Sequence, residues 1–125
     1  MENELIYKEE SYKIIGLCME VHRELGHGFL EIVYKDALEI LFQQNNIPYE
    51  REKGYTIMFK GIILKHNFFA DFVVYDKIIL EVKSASGLAD DHITRTINYL
   101  KTSGNKLGLL VNFGRMQLEY KRLVF

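Results

Sequence analysis

Apolar and polar positions along this chain change period several times, and each change marks an element. Residues 5–25 place Ile15, Cys18, Met19, His22 and Leu25 on one stripe, which predicts a helix ended by Gly26-His27-Gly28. A second helix is expected over 29–46. It carries Phe29, Val33, Ala37, Ile40 and Leu41, with Leu30, Tyr34 and Leu38 alongside, so it is apolar around much of its circumference and is expected to be central. After Pro48 the period shortens to two. Tyr55, Ile57 and Phe59 alternate with Thr56, Met58 and Lys60, a strand ended by Gly61. Two more strands are expected over 67–75 and 78–84, joined around Asp76-Lys77, then a third helix over 88–102 burying Ile93, Ile97 and Leu100. Leu107 to Phe113 reads as a buried strand, and Gly114 leads to a last alternating stretch ending at Phe125. The order ααβββαββ predicts an α/β fold, a mixed central sheet flanked by helices.

A chain of 125 residues, 48% hydrophobic and 26% charged, is expected to form one domain over 1–125 with a real core. No apolar run reaches about 18 residues, so no membrane span is expected. The acidic start Met1-Glu2-Asn3-Glu4 is unlike a secretory signal, and the single cysteine, Cys18, cannot form an internal disulfide. Together they point to the cytoplasm. The net charge of −1 hides an asymmetry: residues 1–31 carry seven acids against three bases, and residues 92–125 six bases against Glu119 alone. Such a split can give one face able to meet phosphates, although any one of these charges can equally be a solvated surface position.

Asp71, Glu81 and Lys83 change the picture most. They lie among Phe68, Phe69, Phe72, Val73, Val74 and Ile78-Ile79-Leu80, where a carboxylate costs several kcal/mol unless paired, protonated or bound to metal. Glu81 and Lys83 share a strand face with Ile79. Whether Asp71 joins them depends on the turn. A two-residue turn at 76–77 would set Asp71 opposite Val82; a three-residue loop at 75–77 pairs Val74 with Ile78 and sets Asp71 opposite Glu81. Two acids about 5 Å apart at Cβ repel, and that arrangement is expected to need a cation between them. Asp76-Lys77 lacks the Asn-Gly or Asp-Gly signature of a tight two-residue turn. Glu31 is a fourth candidate. It stands in the first turn of the second helix, either turned inward with Tyr34 and Leu38 or left in solvent, where the helix dipole favours an acid.

These residues resemble a known family. Gly28-Phe29-Leu30-Glu31-Ile32-Val33-Tyr34 is similar to the signature of the GxxExxY proteins of the PD-(D/E)XK nuclease superfamily. The likeness continues through Ala70-Asp71-Phe72, Glu81-Val82-Lys83, His92 with Asn98-Tyr99-Leu100-Lys101, and Gly108 to Gly114. It implies a restriction-endonuclease-like αβββαβ core with Asp71, Glu81 and Lys83 in the motif positions and Glu31 as the helical acid. Two positions depart from the pattern: Ala70 stands where a proline often precedes the first acid, and Arg95 where a glutamine often stands in the third helix.

The expected function is a metal-dependent nuclease cutting phosphodiesters in nucleic acid, DNA ahead of RNA. Asp71 and Glu81, with Glu31 and the Val82 carbonyl, would hold Mg²⁺ or Mn²⁺, ions that suit hard oxygen ligands. Lys83 would orient water or stabilise charge on the phosphate. His92, Arg95 and Tyr99, at i, i+3 and i+7 of the third helix, are candidates to meet substrate, with ordinary helix-surface roles as the alternative. Four scattered histidines and one cysteine argue against zinc. The competing readings are a non-catalytic module binding nucleic acid or protein on the same fold, and a subunit of a repair or defence complex. A structural alternative for the trio pairs Lys83 with Glu81. The apolar tail Leu123-Val124-Phe125 is a candidate interface for a second copy or a partner protein.

Overall fold

A computed structural model describes residues 6–125. The acidic Met1–Glu4 stretch and the first residue of the expected helix over 5–25 lie outside them. The helices are α1 (Lys8–Leu25), α2 (Glu31–Gln44) and α3 (Asp90–Ser103). The strands are β1 (Tyr49–Tyr55), β2 (Met58–Phe59), β3 (Ile62–Ile63), β4 (Phe68–Val74), β5 (Ile78–Lys83), β6 (Leu107–Asn112) and β7 (Glu119–Val124). Five strands form a mixed sheet in the order β1-β4-β5-β6-β7, parallel only between β5 and β6. The crossover from β5 to β6 is α3, the connection a parallel pair needs.

Alternation along the strands feeds two cores. Phe72, Val74, Ile78, Leu80 and Val82 pack with Ile14, Cys18, Tyr34, Leu38 and Phe42 under α1 and α2. Ala70, Val73 and Ile79 pack with Leu100 of α3 on the opposite face. Since Ile79 faces α3, Glu81 and Lys83 share that side by the two-residue period. Burial on α2 is narrower than its composition implies: Tyr34, Leu38 and Phe42 are buried, while Leu30, Ile32 and Ile40 are exposed. On α1 the buried stripe runs through Ile14, Leu17, Cys18 and Val21, and Met19 lies partly outside it.

The segment after Pro48 differs from expectation. The first sheet strand is Tyr49–Tyr55, whose Glu50, Arg51, Glu52 and Lys53 suit an edge strand. The strand expected from Tyr55 to Gly61 is divided instead: Tyr55 closes β1, and Met58–Phe59 pair with Ile62–Ile63 in a separate β2-β3 hairpin. Lys60 (φ 52°) and Gly61 (φ 78°) turn it between the paired Phe59 and Ile62. Two successive positive φ values match the twist that a two-residue hairpin requires.

Candidate active site

The strand register settles the turn parity. Val74 pairs with Ile78, Val73 with Ile79 and Phe72 with Leu80, so the loop holds three residues and Asp71 falls opposite Glu81. Tyr75 (φ 56°) and Asp76 (φ 61°) both adopt left-handed backbone there. Because β4 and β5 are antiparallel, the start of β4 and the end of β5 meet at one end of the sheet, where Asp71, Glu81 and Lys83 lie.

The regular ladder stops at Phe72 and Leu80, and side chains continue it. The Asp71 N–H donates to Glu81 Oε2 at 2.9 Å, and the Val82 N–H donates to Asp71 Oδ2 at 2.8 Å. Each acid thus accepts a backbone donor from the strand of the other. Ala70 and Val73 both pack toward α3 although they are three apart, so β4 breaks its alternation across Asp71.

A residue that sequence reasoning missed completes the arrangement. Lys35 of α2, nearly buried, donates to Asp71 Oδ1 at 3.0 Å and forms a second, short ion pair with Glu52. Burial alone would lower the pKa of Lys35, but hydrogen bonds to Glu52 and Asp71 hold it above its ordinary value. Glu52 lies on β1 between Arg51, paired with Phe72, and Lys53, paired with Ala70, and is itself left out of the ladder together with Asp71. Its φ of 55° is left-handed backbone inside a strand, a conformation that typically costs about 1–3 kcal/mol. One signal for Lys35 was in the sequence, its i, i+3, i+7 spacing with Leu38 and Phe42. Nothing in the sequence marked Glu52.

These contacts correct the expectation that opposed acids demand a metal: two backbone N–H groups and the Lys35 ammonium already answer Asp71 and Glu81. Protonation is the other relief. Glu81 is only 4% exposed. Burial first, and the Asp71 charge second, push its pKa up to about 8. Lys83 counteracts this in part and is half-buried, but it forms no ion pair among the described residues, so the structural reading in which it bridges Glu81 is not seen.

The remaining candidates are scattered. Glu31 is exposed and accepts no hydrogen bond among the described residues, which corrects the inward placement. It opens α2 beside Ser84–Ser86, just past the end of β5, while Lys35 one turn later meets Asp71. Its motif neighbours are architectural. Gly28 has a φ of 106° that only glycine adopts freely. The Tyr34 hydroxyl donates to the Gly26 carbonyl at 2.6 Å and accepts from the Phe29 N–H, and its ring stacks on Phe113. Ser84 Oγ donates to the Phe29 carbonyl, tying that turn to the end of β5. Buried Asn112 bonds Ala85, Gly114 and Glu119, fixing the loop after β5.

On α3, His92 Nδ1 accepts from the Ala89 N–H, so this ring caps its own helix. Tyr99 stacks on Phe68 at 4.2 Å, and its pKa is raised by burial first and then by Glu81. Arg95 is exposed, and its charge acts on Tyr99 in the opposite sense. Val82 is engaged through its N–H; its side chain belongs to the core under α1 and α2.

Oxygen donors of this kind fit a hard divalent cation, since such ions commonly keep several waters and take one or two carboxylates. Asp71 and Glu81 supply two, each carboxylate oxygen has a second lone pair, and Lys35 would have to yield Asp71 Oδ1. Among the described residues no three His, Cys, Asp or Glu converge as a metal cluster.

A five-stranded mixed sheet between helical layers, with two acids and a lysine where its central strands part, defines a restriction-endonuclease-like α/β protein. The comparisons with known proteins agree. The family model of the PD-(D/E)XK nuclease superfamily matches residues 8–123, and the chain belongs to that superfamily. No curated protein matches it. Among solved structures, one titled "Crystal structure of SSO0001" is similar, with a TM-score of 0.60 and 22% identity over 75% of this chain. That likeness concerns the fold, and the chain spans about 50% of that protein's length. No helix among the described residues is long and apolar enough to cross a membrane.

Proposed function

We propose that this protein is a Mg²⁺- or Mn²⁺-dependent nuclease, with DNA as substrate ahead of RNA, as the likeness to restriction endonucleases implies. The observation that carries the reading is the opposition of Asp71 and Glu81 where β4 and β5 separate, with Lys83 two residues on along the same face. Members of the superfamily generally use divalent metals. Asp71 and Glu81 would hold the ion, which when bound would polarise the scissile phosphate and lower the pKa of a water.

The chain's own residues do the rest. Asp71, held by the Val82 N–H, presents its carboxylate along a fixed direction. Glu81 must give up its proton before it can ligate, and the nearby Lys83 charge favours that ionisation. The Lys83 ammonium, free of ion-pair partners among the described residues, is available to charge developing on the phosphate. Arg95 and the other five bases of residues 92–125 offer contacts to the flanking backbone.

Thermal unfolding in Mn²⁺ tests metal binding. The parent should gain several degrees over its value in chelator and Asp71→Ala should gain none; equal gains would place the ion elsewhere. A second reading, a non-catalytic module on the same fold, is favoured by the Lys35–Asp71 pair, because an internal cation satisfies the acid without metal.

A further inference from the structure

The β2-β3 hairpin exposes a contiguous run of apolar side chains outside the site. Met58, Phe59, Ile62 and Ile63 are each at least 60% exposed, and Leu64 42%. Charge surrounds it unevenly. Residues 53–70 contain Lys53, Lys60, Lys65 and His66 and not one acid, in a chain whose net charge is −1. Its root is firm: the Leu64 N–H donates to the Ile57 carbonyl, and Tyr55, Phe68 and Tyr99 stack in series at 5.2 and 4.2 Å. Its position is informative too. It joins the end of β1 to the start of β4, where Tyr55 pairs with Phe68, at the end of the sheet that carries the acids. Phe68 is three residues before Asp71, about 10 Å at the rise of a strand.

We infer that this hairpin is a wedge for DNA whose base stacking is interrupted, such as a fork, and that it seats the junction within a few nucleotides of Asp71 and Glu81. The inference rests on the nuclease reading above for its choice of partner. The apolar pairs Phe59–Ile62 and Met58–Ile63 behind the Lys60-Gly61 turn would leave the polar base edges of an intact groove unpaired, but they match the bare face of a terminal base pair. Lys60 at the turn, its ammonium over the Phe59 ring, and Lys65 just past β3 suit the phosphates beside that base pair. Met58, Phe59, Ile62 and Ile63 offer no side-chain hydrogen bond to a 2′-hydroxyl, so RNA would lose solvation there without compensation. A second copy fits worse. A stable dimer buries about 800 Å² per partner, more than strands of two residues supply.

The test is fluorescence anisotropy with a labelled DNA fork, competed by the unlabelled fork, by covalently closed circular duplex, which has no terminal base pair, and by the equivalent RNA fork. It is done in chelator with the full chain, and light scattering is run alongside. The parent should bind the DNA fork about tenfold more tightly than the duplex, a typical effect of one stacked base, and more tightly than the RNA fork. Phe59→Ser/Ile62→Ser should bind fork and duplex equally, with its melting temperature and Mn²⁺ response unchanged. Lys60→Ala/Lys65→Ala should weaken both DNAs and lower the salt slope by about two. Fork preference that survives Phe59→Ser/Ile62→Ser overturns the wedge, and equal affinity for the RNA fork overturns its assignment to DNA. A parent dimer that the same variant converts to monomer, with DNA binding intact, assigns the hairpin to an interface between copies. Cleavage is read separately in Mn²⁺: a parent that cuts nothing yet prefers the fork through the hairpin retires the nuclease reading and leaves the wedge standing.

Discussion

Glu81→Gln keeps the shape of the side chain and its acceptor for the Asp71 N–H while deleting its titration. In the folded protein Glu81 holds its proton up to about pH 8, whereas its ordinary pKa is 4.5. Between those values the native state binds a proton that the unfolded chain has released, so stability falls as pH rises. The contribution is complete below pH 4.5 and gone above pH 8. At about 1.4 kcal/mol for each pH unit, the loss across that window is on the order of 5 kcal/mol, and less if the strands part to admit water. Urea unfolding in chelator from pH 5 to pH 8.5 measures it. The parent should lose stability steadily through this range. Glu81→Gln should have a flatter profile, matching the parent near pH 5 and exceeding it by at least about 2 kcal/mol at pH 8.5. Parallel profiles for the two proteins would refute the reasoning, because Glu81 would then be ionised at the same pH folded and unfolded. Mn²⁺ should reduce the difference from the other direction, since it binds the ionised pair and displaces the proton.

Lys35→Met should cost about 3 kcal/mol of stability in chelator by leaving Asp71 and Glu52 without their cation, and should tighten Mn²⁺ binding in calorimetry because the ammonium no longer holds Asp71 Oδ1. Tyr34→Phe should cost about 1–3 kcal/mol in urea unfolding, since the Gly26 carbonyl loses its donor and the Phe29 N–H its acceptor.

The opposition of Asp71 and Glu81 was legible because strand parity is a discrete property: once the loop is odd, Val74 meets Ile78 and the acids must meet. The helices and the buried strands announced themselves by period. The edge strand did not, because Glu50, Arg51, Glu52 and Lys53 mask the alternation of a strand whose outer side is wet. The hairpin was hidden for the opposite reason. Its alternating apolar residues mimic a buried strand, and only two positive φ values at Lys60 and Gly61 separate the two cases. Lys35 was passed over because a lysine on a helix is ordinarily assigned to solvent. It is buried because two acids on neighbouring strands lie within its reach. Glu31 shows the limit of helical periodicity, which fixes the direction of a side chain but not how far the sheet extends beneath the first turn.

The central claim is that Asp71, Glu81 and Lys83 cut phosphodiesters with a divalent metal. It is tested most directly by end-labelled DNA, forked and duplex, incubated with parent and Lys83→Ala in Mn²⁺, each protein's Mn²⁺ affinity being measured on the same preparation. A protonated lysine cannot ligate metal, so its contribution belongs to the transition state. The account predicts metal-dependent cleavage by the parent and loss of at least about a hundredfold in rate for Lys83→Ala at unchanged Mn²⁺ affinity. A Lys83→Ala protein that cleaves as fast as the parent, or a parent that binds Mn²⁺ at Asp71 and cuts neither DNA, would contradict it.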